Sequence, residues 1–221
     1  MDLSKHLEYL DPLNDIKAPI HVIGVGAIGS TVVEMFARMG VPELNVYDMD
    51  VVTPHNLANQ MFWMEHIDSA KENCVADICC AINPDMTVHT NGPYTNQRLT
   101  GYVFLCVDNI DLRREICQAQ KNNPYIKAIF DFRMGLTDAQ HYAADWSDTK
   151  HRDNLLNTMA FTHEEAKANT PVNACGTSLN IIYTVRSIVS FGLANFINFI
   201  KTSQMKKMIL IDTVNFTLDA F

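Results

Sequence analysis

An α/β fold is predicted: a mostly parallel sheet with helices on both faces and antiparallel strands at the C-terminal end. Three observations carry it. Short β-rich runs alternate with segments of helical apolar spacing. A glycine turn, Gly24-x-Gly26-x-x-Gly29, joins the first such run to the first such helix. Val103-Phe104-Leu105-Cys106-Val107 is continuously apolar, as a strand covered on both faces must be.

Residues Met1 to Pro19 read as a short helix and linker, punctuated by Pro12 and Pro19. His21-Val22-Ile23 is the first strand. After the glycines, Ile28, Val32, Met35, Phe36 and Met39 recur at helical spacing, and Gly40 ends the helix. Leu44 to Tyr47 is the second strand, with Asp48 at its carboxyl end. Val52 to Trp63 is a loop. Ser69 to Ile82 is a helix, with Ser69 as its N-cap and Asn83-Pro84 as its stop. Met86 to His89 is a strand, and Asn91 to Gly101 a loop or short helix. The apolar strand from Val103 ends in Asp108-Asn109. A helix from Ile110 to Asn122 follows, then strands at Ile126–Phe130 and Ala139–Ala143. Asp145 to Val172 reads as a polar crossover with short helical pieces. Gly176 to Lys201 is a long apolar helix, and Met208 to Leu218 holds two short strands bent at Asp212–Val214. This is a Rossmann-like pattern, whose ligands bind beyond the carboxyl ends of the strands. The glycine loop, Asp48 and Asp108 all fall there.

Composition narrows the function. A length of 221 residues suits one α/β unit with an added element, and 48% hydrophobic residues can fill a core. The formal charge of −8 argues against a general nucleic-acid surface. The cysteines Cys74, Cys79, Cys80, Cys106, Cys117 and Cys175 include no C-x-x-C pair, so no zinc ribbon is expected. Several lie in apolar contexts that suggest reduced core thiols and a reducing, cytoplasmic compartment, and the polar start is unlike a signal peptide. The longest apolar run, Ile181 to Ile200, is broken by Thr184, Arg186, Ser187, Ser190, Asn195 and Asn198. It reads as a core or dimer-interface helix rather than a membrane span.

The glycine turn points to a phosphate. Its glycines allow close backbone approach, and the helix start at Ala27-Ile28 presents free N–H groups and a positive dipole end. Asp48 stands where an acidic residue can accept from ribose hydroxyls. A turn that only packs a helix onto a sheet is the bland alternative, and a nicotinamide-dependent dehydrogenase is permitted by these features alone.

Further residues separate these readings. G-A-I-G-S, then D-M-D-V-V-T-P-H-N-L-A-N-Q, then S-A-K-E-N, I-N-P and C-V-D-N-I-D-L-R-R resemble, in order, the E1-like adenylating enzymes. These include ubiquitin-activating enzymes and the bacterial ThiF, MoeB and HesA group. The resemblance runs from about residue 20 to residue 115, and more loosely through Asn173-Ala174-Cys175-Gly176 to the end. It implies one ThiF-like adenylation domain over 20–221, following the 1–19 segment. The nucleotide half would span about 20–135, the crossover about 144–175, and the long helix and last strands 176–221.

The activity the resemblance implies is ATP-dependent activation of a carboxylate. The C-terminus of a ubiquitin-like or sulfur-carrier protein, or of a peptide, attacks the α-phosphate to give acyl-adenylate and pyrophosphate. Gly24, Gly26, Ala27, Ile28 and Gly29 would line the nucleotide, with Asp50, Gln60, Val107 and Asn109 beside it. Asp48 would hold the ribose. Asn56 would donate to phosphate or orient the reacting group, Lys71 would neutralise phosphate charge, and Asp108 would hold magnesium. Cys175 stands where some members keep a cysteine that takes the acyl group. The plainer alternatives are a solvated helix lysine at Lys71, a helix N-cap at Asp108, a loop-ordering Asp50 and a buried helix-cap cysteine at Cys175. His141 and His163 read as ordinary strand and loop residues.

The resemblance also implies a homodimer, while the negative charge and the interrupted apolar run argue against a nucleic-acid or membrane partner. The zinc-binding C-x-x-C pairs of many members are absent. Two departures stand out. The family's arginine before the glutamine is Asn59 here, and residues Met1 to Ile20 contain Lys5 and Lys17 but no arginine to send into a partner's site. Arg38, Arg113, Arg114 and Arg133 are the substitutes in view. Loss of such a charge can cost about 10³-fold in rate. The competing reading is therefore a degenerate E1-like module that binds nucleotide or a ubiquitin-like protein without turnover.

Overall fold

The computed structural model describes residues 1–168, 172 and 179–221. In chain order its elements are α1 (Pro12–Asp15), β1 (Ile20–Ile23), α2 (Ala27–Met39), β2 (Glu43–Tyr47), α3 (Lys71–Ile82), β3 (Thr87–Thr90), β4 (Gly101–Leu105) and α4 (Ile110–Ala119). There follow β5 (Ile126–Met134), β6 (Asp138–Asp145), α5 (Thr149–Asn157), α6 (His163–Ala168), α7 (Ile182–Thr202), β7 (Met208–Asp212) and β8 (Thr217–Ala220). Two 3-10 turns, Pro54–Ala58 and Met64–His66, lie between β2 and α3.

The strands form one sheet in the order β3-β2-β1-β4-β5-β6-β7-β8. The first five are mutually parallel, and β6, β7 and β8 run antiparallel. The chain builds outward from β1 through β2 to β3, then crosses back to place β4 on the other side of β1. That reversal is the topological switch of a Rossmann-like sheet, and it opens a crevice beyond the carboxyl ends of β1 and β4.

Alternation along the strands sorts two cores. Phe104, Phe130 and Phe132 face α2, α3 and α7, whereas Val103, Leu105 and Ile129 face α4, α5 and Trp146. Phe104 and Phe130 stack at 5.0 Å, and Phe196 of α7 meets both edge-on at 5.3 and 5.4 Å. This aromatic cluster anchors α7 to the sheet, and truncating Phe196 would cost about 3–5 kcal/mol. Helix α7 buries Val185, Ile188, Val189, Leu193 and Phe196, the core placement that its interrupted apolar run suggested. Among the described residues no helix is long and apolar enough to cross a membrane.

Gly40 ends α2 in the left-handed region at φ 80°, and Val41 N–H donates to Phe36 O at 3.0 Å. A glycine there avoids a Cβ clash and satisfies the last carbonyls.

Several boundaries differ from the sequence reading. Ser69 is not the cap of α3; Ala70 is, because Val51 bridges Ala70 and Ser69 O accepts from Val52 N at 2.9 Å. Strand β4 begins two residues early, at Gly101, and Cys106 and Val107 continue the apolar run into the turn. The β5–β6 hairpin is longer than its apolar centre, since its ends carry polar residues such as Arg133 and Gln140. Helix α7 begins at Ile182, while Ile181 is extended.

Candidate functional site

The site begins where β1 turns into α2. Gly24 has φ 86°, and a Cβ on it would stand 2.8 Å from the Val107 amide nitrogen. A Cβ on Gly29 would lie 1.9 Å from Gly24 O. These glycines therefore let the turn, the helix and the end of β4 close on one another. Gly26 differs: among the described residues a Cβ there would meet nothing within 4 Å. It serves as the N-cap of α2, and among the described residues no side chain caps the first turn. The free N–H groups of that turn and the helix dipole make an anion cradle.

Asp48 ties the cradle to the next loop. Its Oδ2 accepts from Val25 N at 2.6 Å, and its Oδ1 from Asp50 N at 2.9 Å. Bonds from amides to an ionised acceptor are stronger than neutral ones. They orient the carboxylate beside the turn and leave it acceptor capacity for a ligand hydroxyl.

Asp50 and Lys71 follow. Lys71 is buried at 6% exposure and sits in the first turn of α3, yet its Nζ donates to Asp50 Oδ2 at 2.8 Å. Lys71 N also donates to Asp50 O at 2.9 Å. The alternative of a solvated helix lysine is thus corrected: Lys71 is buried and bonded to Asp50, next to the Val51–Ala70 bridge. Asp50 orders more than the loop, because it is the counter-ion of a buried cation.

Asn56 is buried within the first 3-10 turn, where its Oδ1 accepts from Thr53 N at 2.9 Å and Thr53 Oγ1 at 3.0 Å. With its carbonyl so engaged, its amide N–H₂ is the group available to a ligand. Asp50, Val51, Thr53, His55, Asn56 and Lys71 line one cleft of about 290 Å³.

At the end of β4, Asn109 caps α4 by accepting from Asp111 N at 2.9 Å and Leu112 N at 3.2 Å. Asp108 is not the N-cap. It stands exposed beside Val107, with its carboxylate bound to no other described residue. Arg113 braces this turn from below: its guanidinium bonds Val107 O, Leu105 O and the buried Asp131. Arg133 also binds Asp131, at 2.7 Å. These contacts engage both guanidinium groups. Arg114 is spent on Asp111 and the Met159 and Phe161 carbonyls, and Arg38 on Glu34.

Gln60 lies at the end of the loop, with its Oε1 buried and unpartnered among the described residues. Asn59 Nδ2 donates to Asn180 Oδ1, just before α7. Met61 N donates to Ser30 Oγ at 3.2 Å, which clips the loop to the first turns of α2. Arg186 of α7 reaches this corner, with Nη2 2.9 Å from Met61 Sδ. It was absent from the substitutes read in the sequence, since it lies far along the chain from Asn59. Cys175 lies outside the described residues.

The family model described as "ThiF family" matches residues 13–143. The chain belongs to the ThiF family.

Its relatives are diverse. It is 32% identical over 144 residues to the tRNA threonylcarbamoyladenosine dehydratase of Haemophilus influenzae, covering 60% of this chain and 55% of that protein. It is 28% identical over 120 residues to Ubiquitin-like modifier-activating enzyme 5 of Oryza sativa, covering 45% and 28%. The chain thus spans about half or less of these relatives. Among solved structures, E. coli MccB with ATP superposes with a TM-score of 0.73 at 13% identity, covering 95% of this chain and 65% of that one. PaaA gives 0.72 at 12% identity, covering 95% and 65%. At these identities the likeness is one of fold.

Proposed function

We propose that this ThiF-family chain adenylates the C-terminal carboxylate of a small protein or peptide, using ATP and magnesium. One observation carries the reading: a run of direct contacts stitches Val107, Gly24, Val25, Asp48, Asp50 and Lys71 together at the ends of β4, β1 and β2. An open anion cradle, a bonded carboxylate, a buried lysine and a free carboxylate meet there. That set fits a nucleoside triphosphate better than any one motif would. MccB, of the same fold, has been solved with ATP and with MccA, and some relatives are named for activating ubiquitin-like modifiers.

The chemistry follows from the charges. A carboxylate oxygen attacks the α-phosphorus, the bond to the bridging oxygen of the β-phosphate breaks, and pyrophosphate leaves with that electron pair. The acyl group is left joined to AMP. Negative charge grows on the phosphoryl oxygens, so donors already aimed there lower the barrier.

The α2 N-terminus would take the phosphates and Asp48 the ribose hydroxyls. Asn56 would donate its amide to the reacting oxygens. Lys71 would exchange its Asp50 partner for phosphate. Asp108 would offer a carboxylate to magnesium, an oxygen ligand of the kind that ion prefers. When bound, magnesium supplies charge neutralisation across the phosphates. Cys175 is the acyl acceptor to test, and the active unit is a homodimer.

The test is exchange of radiolabelled pyrophosphate into ATP, with candidate ubiquitin-like proteins and with peptides. Exchange that needs a free C-terminal carboxylate supports adenylation. A second reading, a module that holds nucleotide or a ubiquitin-like protein without turnover, is favoured by one observation: Asn59, standing in place of the arginine that the family resemblance implies, pairs with Asn180. Tight ATP binding with no exchange would select it.

A further inference from the structure

We propose that Arg186 is the phosphate-binding arginine of this site, serving from α7 the place left uncharged at Asn59. The inference rests on the nucleotide reading above and goes beyond it.

The charge balance demands such a group. Asp48, Asp50 and Asp108 are carboxylates at the proposed site, and Lys71, even when released from Asp50 to phosphate, supplies a single positive charge. A triphosphate adds further negative charge, which a positioned cation must offset. The other arginines are engaged by partners of their own. Arg113 and Arg133 bind Asp131, and Arg114 binds Asp111. Arg152 donates to Trp146 O at 2.5 Å, Arg98 lies over Tyr125, and Arg38 binds Glu34 at 2.5 Å.

Arg186 is held loosely by comparison. Its Nη1 lies 3.7 Å from Glu34 Oε2, beyond hydrogen-bond range, and its side chain is 44% exposed. Its closest polar contact is Met61 Sδ, and a thioether is a weak acceptor. Among the described residues, most of its five donors are unspent.

It also stands close to the cradle. Met61 is clipped by its amide to Ser30 Oγ, and Ser30 N donates to Gly26 O at 2.9 Å. Glu34 is one turn further along α2, but helical side chains lean toward the N-terminus, so its carboxylate lies back over the Ser30 turn. A guanidinium between Met61 and Glu34 is therefore beside the first turns of α2. The flexible arm can trade sulfur for phosphate oxygens, where its planar fork makes paired bonds.

The experiment is calorimetric titration of the full chain with ATP and with AMP. Arg186→Ala should weaken ATP binding about tenfold to a hundredfold, and leave AMP within about twofold, because AMP lacks the outer phosphates. Arg186→Lys should fall between, and adding Asn59→Arg to Arg186→Ala should restore ATP affinity. Arg186→Gln, which keeps the stem, replaces the alanine variant if that chain fails to fold. Unchanged ATP affinity, or equal losses for ATP and AMP, would overturn the proposal while leaving the nucleotide site standing. A wild-type chain that binds no ATP would overturn both.

Discussion

Lys71 Nζ donates to Asp50 Oδ2 at 2.8 Å, from a side chain that is 8% exposed to one that is 62% exposed. The pair is lopsided: the cation depends on the carboxylate more than the reverse. Asp50→Asn should therefore destabilise the fold more than Lys71→Met, which replaces the buried cation with an apolar chain of similar length. The difference should be about 1 kcal/mol, since solvent reaches the acid. Chemical denaturation of the two variants decides it; a larger loss for Lys71→Met would contradict the pairing. In turnover the order should reverse, with Lys71→Met losing about 10²-fold or more in exchange rate.

Gly26 and Gly29 should respond differently to the same methyl group. Gly29→Ala drives a Cβ to within 1.9 Å of Gly24 O and should yield unfolded or poorly soluble chain. Gly26→Ala meets nothing within 4 Å among the described residues, so it should melt near the wild-type temperature and yet lose nucleotide binding, because the methyl fills the cradle. Thermal melting with and without ATP reads both; a Gly26→Ala variant stabilised by ATP as much as the wild type would contradict the cradle.

Asp48→Asn keeps the shape but removes the charge that accepts from Val25 and Asp50 amides. It should cost about 1–2 kcal/mol of stability. Nucleosides with intact ribose should lose more affinity than 2′,3′-dideoxy analogues, and equal losses would remove the ribose role.

Acid should destabilise the fold through two buried histidines. Burial lowers His21 to about 4, and burial lowers His141 to about 4 despite the nearby Asp131. The ordinary histidine value is 6.5, so below it the unfolded chain takes up protons that the folded chain refuses. Stability is therefore highest above pH 6.5, falls as pH drops toward 4, and stops falling from this source below that. Between pH 7 and pH 5 the loss should be about 2 kcal/mol per histidine. His141→Gln and His21→Gln should each flatten the profile, and an unchanged slope in both would contradict the assignment.

The sheet and half of the site were legible because their signals are local. The glycine turn, Asp48 and the apolar β4 each lie within one strand–turn–helix stretch, where spacing alone dictates geometry. What spacing could not show are the pairings made across the chain. Lys71 turns inward onto Asp50 beside the Val51–Ala70 bridge, a pairing of residues 21 apart that spacing alone does not show. Asn109 rather than Asp108 caps α4 because it directly precedes the helix start at Ile110 and its side chain accepts from the Asp111 and Leu112 amides. Arg113 looked like a spare cation, but Asp131 on the neighbouring strand claims it. Arg186 stood in plain view within an apolar helix, where its packing against Met61 and Glu34 depends on how α7 crosses α2.

The most direct test is pyrophosphate exchange run with one peptide in two forms, its C-terminus free or amidated, in the presence of ATP and magnesium. Adenylation predicts label in ATP with the free carboxylate, none with the amide, and none after Lys71→Met. ATP binding without exchange, across ubiquitin-like proteins and peptides with free C-termini, would contradict it.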